Sequence, residues 1–235
     1  TDAGYTADDL KTINDKTNLS IVLLKTAASQ PLSDTAGVIA DALDGITNYT
    51  GAIIVAGTPN AAELNAIAKL TTGRVTATLD PATTIEATTV AALNGVKTTD
   101  NITFKPAGAL TVSGTSGLTA LINLKKLLPN ADFSAVTTVE GTSEDVAAIK
   151  SALKLVATNA AVKITAGQIS AADANAIAKA TDGALTATIK SGSVAATLKA
   201  LADVDKAIDD ITFTTTDKTV NARDLVDLHA KFKTP

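Results

Sequence analysis

The 235 residues contain no cysteine, no methionine, no tryptophan and a single histidine. Without cysteine there are no disulfides and no zinc-thiolate sites. Without methionine the chain does not open at a translation start, so a mature product or an excised part of something longer is expected. Aromatic residues make up only 3% and the net charge is −4, so both stacking surface and a basic patch are missing and nucleic acid is disfavoured as a partner. No stretch approaches about 18 apolar residues, the length a membrane span needs. No signal-peptide pattern is visible in the 235 residues.

Catalytic constellations are equally scarce. His229, the lone histidine, falls in a terminal helical stretch beside Leu225, Leu228 and Phe232, and its i±4 neighbours are Leu225 and Lys233. A metal or catalytic histidine needs polar partners there, so a structural or surface role is expected. No Ser-His-Asp set, phosphate loop or dinucleotide glycine pattern is present. Asp8-Asp9 and Asp209-Asp210 are adjacent carboxylates of the kind that can ligate a cation. Adjacent residues on a helix do not face one another, and loop calcium sites need alternating oxygens, so capping or solvated charge is the expectation. Three sequons, at Asn18, Asn48 and Asn101, follow from a composition rich in Asn and Thr.

What the chain does have is small aliphatic residues and threonine. Apolar residues reach 46%, mostly Ala, Val, Ile and Leu, which suits thin, closely spaced layers. Threonine fills 38 positions, supplying β-branched residues for strands and hydroxyls for exposed faces.

The chain is organised around an internal duplication. Residues 60–79, NAAELNAIAKLTTGRVTATL, match 170–189, SAADANAIAKATDGALTATI, at an offset of 110 with twelve identities in twenty ungapped positions. Around it the pattern predicts a helix at 6–17, with Thr6 and Asp9 at capping-box spacing, and a strand at Leu19–Leu24. A second helix is predicted from Ser33-Asp34, ended by Gly45, then a strand at 52–56. Asn60 and Glu63 cap the next helix, Gly73 ends it, and 75–79 is a strand. Next come a helix near 85–93, a strand at 101–104, and a short extra strand at 109–112. The second half predicts helices at 116–128, 143–155, 170–181 and 193–202, alternating with strands at 135–139, 161–165, 185–189 and 210–214. A ninth helix, 221–232, closes the chain with Asn221 and Asp224 at cap spacing. Asp209-Asp210-Ile211-Thr212-Phe213 echoes Asp100-Asn101-Ile102-Thr103-Phe104.

Helix and strand alternating in constant order imply parallel strands with right-handed crossovers. Most strands also alternate in polarity. Val75, Ala77 and Leu79 oppose Thr76 and Thr78; Val162 and Ile164 oppose Lys163 and Thr165; Leu185, Ala187 and Ile189 oppose Thr186 and Thr188; Ile211 and Phe213 oppose Thr212 and Thr214. A sheet covered on both faces reads instead as unbroken apolar runs. The expectation is therefore a single domain over residues 1–235, a one-sided parallel α/β solenoid of about eight helix–strand repeats in one sheet, laid out like a leucine-rich-repeat horseshoe. Ile21–Leu24 and Ile53–Val55, apolar on both faces, stand out as strands that something else covers.

The phrase A-A-x-x-N-A-I-A-x-x-T-x-G-x-x-T-A-T-[IL] at 61–79 and 171–189, with the later D-x-I-T-F strand, resembles the repeats of very large secreted or cell-surface proteins of cyanobacteria. Those are grouped with haemolysin-type calcium-binding exoproteins. The resemblance spans nearly the whole chain and implies an extracellular, non-enzymatic role in a surface layer, fibre or adhesin. The G-G-x-G-x-D nonapeptide of that class is absent, so calcium is assigned to no residue and no cofactor is expected.

Two functional expectations follow. The first is a structural, self-associating module, joined through terminal repeats at the edges near Leu19–Leu24 or Asp210–Thr214, or continued by further repeats of a longer parent. The second is a binding module whose open face, carrying Thr76, Thr78, Thr103, Lys163, Thr165, Thr186, Thr188, Thr212 and Thr214, holds glycan or a partner protein. Binding of ice or a crystalline surface by the Thr-x-Thr pairs is a remoter variant of the second.

Overall fold

Thr6 and Asp9 fulfil their capping spacing: the Thr6 hydroxyl accepts from the Asp9 N–H and the Asp9 carboxylate accepts from the Thr6 N–H at 2.9 Å, opening α1 (Ala7–Asn14). The computed structural model describes residues 5–17, 21, 31–46, 49–81, 85–205 and 208–232. The strand predicted at Leu19–Leu24 lies outside the described residues apart from Ile21.

The chain then runs β1 (Leu32–Thr35), α2 (Ala36–Leu43), β2 (Ile53–Ala56), α3 (Ala61–Leu70), β3 (Val75–Thr78), α4 (Ala87–Ala92) and β4 (Asn101–Thr103). It continues through β5 (Leu110–Ser113), α5 (Gly114–Leu127), β6 (Val136–Thr142), α6 (Val146–Ala152), β7 (Ala161–Ala166), α7 (Ala171–Ala178), β8 (Leu185–Gly192), α8 (Val194–Ala200), β9 (Asp210–Thr215) and α9 (Ala222–His229). The architecture is mixed α/β, with nine helices and nine strands among the described residues and no closed barrel.

Every strand pair is parallel, and strand order follows chain order: β1-β2-β3-β4 in one sheet and β5-β6-β7-β8-β9 in the other. The single sheet of eight strands expected from the repeat is thus replaced by two sheets of four and five. The reason is loop length. Parallel neighbours need a crossover of about a dozen residues, but only residues 104–109 separate β4 from β5. The chain divides accordingly into two compact units, the first made of Thr1–Ala82, Glu86–Lys105 and Asn123–Asp132, the second of Thr83–Ile85, Pro106–Ile122 and Phe133–Pro235.

The expected second helix needs correction at its start. Ser33 and Asp34 read as helix caps, yet they sit in β1, which pairs residue for residue with Ile53–Ala56. A neighbouring strand offering a ladder outweighs a local capping preference, and α2 begins only after Thr35. The short extra strand proposed at 109–112 is present as β5.

In each unit the strands alternate buried and exposed residues: β2 and β5 read buried-exposed-buried-exposed, and β8 keeps the alternation over its first six residues. Consecutive helices pack on one another, α1 to α4 in order in the first unit and α6 to α9 in the second. The duplicated isoleucines, Ile67 on α3 and Ile177 on α7, are both fully buried. Ile54, read as a covered apolar residue, is instead 39% exposed on the open side of β2.

Gly73, predicted as a helix stop, and its counterpart Gly183 in the duplicated stretch do a different job. A Cβ on Gly73 would overlap the backbone carbonyl of Gly51, and one on Gly183 would fall 2.5 Å from the carbonyl oxygens of Asn159 and Ala160. Close approach of successive backbones, not a left-handed turn, requires glycine there. Gly45 differs: its φ of 71° ends α2 in the way expected of it.

Candidate functional site

The predicted site is the outward face of the strands, and the structure places its residues in two groups. In the four-stranded sheet, Thr78 and Thr103 are exposed and register-paired, while Thr76 is half-buried opposite Asn101 and Ile54. In the five-stranded sheet, Lys163, Thr165, Thr186, Thr188, Thr212 and Thr214 are all exposed. Alternation alone put them there, since successive side chains of a strand point to opposite faces.

Register on the second sheet makes one row across all five strands: Ser113, Glu140, Lys163, Thr186 and Asp210. Within it the Lys163 ammonium lies 3.2 Å from a Glu140 carboxylate oxygen. One step further along the strands, the Thr212 hydroxyl donates to the Thr188 hydroxyl at 2.9 Å. Thr165 turns its hydroxyl to the Gly141 carbonyl at 3.2 Å. The face is hydroxyl-rich with a paired charge near its middle. Sequence reasoning missed Ser113, Glu140 and Asp210 as members; the period-2 signal reaches Ser113 and Asp210, but a register shift at the start of β6 leaves Val136 and Val139 both buried, so alternation counted from Val136 misplaces Glu140.

Asp209 and Asp210 do not act together. Asp210 is exposed on the outer row, while Asp209 is 1% exposed and points into the unit. Asp8 is exposed and Asp9 is committed to the Thr6 cap. His229 is exposed on α9. No cluster of three potential metal-ligating side chains occurs among the described residues.

Four buried polar side chains are engaged with backbone, and the two units repeat the engagement. Asp100 accepts from the Val75 N–H at 2.9 Å and the Lys97 N–H at 2.8 Å; Asp209 accepts from the Leu185 N–H at 2.8 Å and the Asp205 N–H at 2.9 Å. Thr71 donates to the Gly51 carbonyl and accepts from the Gly73 N–H, and Thr181 does the same with the Ala160 carbonyl and the Gly183 N–H. Asn65 and Asn175 each accept at 2.6 Å from the backbone of the next turn, at Gly95 and Asp203. The identities at 65/175, 71/181 and 73/183 were visible as a repeat. Their role as clamps between successive strands and helices was not.

A third carboxylate belongs to the second unit alone. Asp145 is 4% exposed and accepts from the Thr115 hydroxyl at 2.6 Å and the Thr142 N–H at 2.8 Å. The Thr115 hydrogen bond, followed by that from Thr142, holds its carboxyl below the ordinary aspartate range. Asp173 is held low chiefly by the Lys150 ammonium at 2.9 Å, then by the Ser170 hydroxyl. Burial pushes the Tyr49 hydroxyl up to about 12, with Tyr5 adding to the shift.

No family model, curated protein or solved structure matches this chain.

Proposed function

We propose that the chain is a structural, self-associating module of an extracellular assembly, a segment of a surface layer, fibre or adhesin, built as a one-sided α/β solenoid without catalysis. The observation that carries this reading is the role-for-role duplication of Asp100/Asp209, Thr71/Thr181 and Asn65/Asn175. These groups, buried at Asp100, Asp209, Thr71 and Thr181 and half-buried at Asn65 and Asn175, fasten one α/β step to the next in both units, which is what a stacked-repeat scaffold requires. The strand order, running with the chain in both sheets, and the alternation of buried and exposed strand residues support the same reading. The extracellular placement rests on the resemblance of the repeated phrase to cyanobacterial surface proteins.

A second reading has its own observation. Thr188 and Thr212 are joined across strands on an exposed face that also carries Lys163, Thr165, Thr186 and Thr214, so the open sheet of the second unit is a surface for glycan or a partner protein. Sedimentation velocity over a concentration series, with electron microscopy of the concentrated sample, separates the two. Ordered polymers support the scaffold. A strictly monomeric chain that retains on a glycan or protein array, with retention lost on changing Thr188 and Thr212 to alanine, supports the binding module.

A further inference from the structure

Burial at matched positions of four helices sets a pattern that α1 and α9 break most strongly, with Val90 of α4 and Ala200 of α8 half-buried. Counting from the N-cap, the fourth and seventh residues are fully buried in α2 (Ile39, Ala42), α3 (Leu64, Ile67), α6 (Ile149, Ala152) and α7 (Ala174, Ile177), each 3% exposed or less. In α9 the fourth residue, Leu225, is 52% exposed and Val226 beside it 66%, while the seventh, Leu228, is buried. In α1 the pattern is reversed: Leu10, the fourth, is buried and Ile13, the seventh, is 50% exposed.

The exposure on α9 is not that of a loose helix end. Lys231 donates to the Ala202 and Val204 carbonyls, and Phe232 packs on Phe213 of β9 with ring centres 6.3 Å apart. Next to it β9 pairs only with β8, so no strand among the described residues covers its other edge. An apolar helix face beside that strand edge is the shape of a unit waiting for another.

Charge selects the occupant. Arg223, exposed at the second position of α9, sits where the helix macrodipole disfavours a cation and favours an anion. Asp8, exposed at the second position of α1, is that anion. We propose that the α9 face is the docking surface for α1 of a second copy of this chain, the helices running parallel with caps Asn221 and Thr6 level. Asp8 of one copy then meets Arg223 of the other, and Ile13 covers the Leu225–Val226 patch within one turn. The contact is heterologous, so it propagates chain upon chain unless its rotation closes a ring. It rests on the self-associating scaffold reading and specifies its joint.

The test uses the full chain and three variants, with sedimentation for assembly and circular dichroism for folding. The double variant Leu225→Ser, Val226→Ser removes exposed side chains, so the fold is retained and the concentration for assembly rises about tenfold or more. Arg223→Asp and Asp8→Arg each weaken assembly alone, while a mixture of the two restores it, because each variant's altered end meets a complementary end on the other. If the unaltered chain assembles and the serine variant assembles equally well, the joint lies elsewhere and the inference falls while the scaffold reading stands. If the serine variant is impaired but the charge-swapped mixture is not restored, something other than α1 covers α9 and the inference is overturned. A monomeric unaltered chain overturns both.

Discussion

Asp100 and Asp209 hold the same post in the two units, each a nearly fully buried carboxylate accepting one backbone N–H from the preceding strand and one from the loop just before itself. The spacing between them is 109 residues, not the 110 of the matched repeat, so the post survives a one-residue adjustment in the loop. What is duplicated is the hydrogen-bonding task.

Asp209→Ala removes the carboxylate that accepts from the Leu185 and Asp205 amides. Losing two hydrogen bonds to a charged acceptor costs about 2–5 kcal/mol. Asp209→Asn keeps one acceptor oxygen and costs less. Urea unfolding of both variants checks the order, and equal midpoints for Ala and the native residue would refute the clamp.

Glycine at 183 answers a close approach, so Gly183→Ala costs about 3 kcal/mol, the upper end for overpacking. Gly45→Ala meets no atom within 4 Å and bears only the strain of its positive φ, about 1–2 kcal/mol. Thermal unfolding distinguishes them; Gly45→Ala proving the more damaging would show that the backbone contact at 183 relaxes easily.

Ile67→Ala and Ile177→Ala each empty a fully buried site in equivalent helices. Each change costs about 2–5 kcal/mol. Denaturant midpoints measure both, and a value near zero for either would mean the helix face closes over the cavity.

Acid stability follows from Asp145 and Asp173, whose carboxyls are held below the usual aspartate value by Thr115 and Lys150 respectively. A depressed folded value contributes stability that is present above the unfolded value near 3.9 and is lost as pH falls through the folded one. Stability should therefore be level near neutrality and decline below about pH 4. Asp145→Asn should flatten that acid limb in urea titrations across pH; an unchanged limb would assign the acid loss to other carboxylates.

The caps of α1 and α3, the glycine after α2 and the two-faced strands were legible in the sequence because each depends on a few neighbouring residues and their own backbone preferences. Thr6 and Asp9 need only three residues between them, and Thr186 and Thr188 need only the strand's alternation. The exposed face could be read for the same reason. Three things were decided elsewhere. Leu32–Thr35 became a strand because β2, some twenty residues on, supplied its ladder. Gly73 and Gly183 are required by carbonyls from the preceding step of the fold. The sheet stopped at β4 because residues 104–109 are too few to carry a parallel crossover, so β5 had to start a second one. Local chemistry chose the elements; partners brought from a distance along the chain chose where each sheet begins and ends.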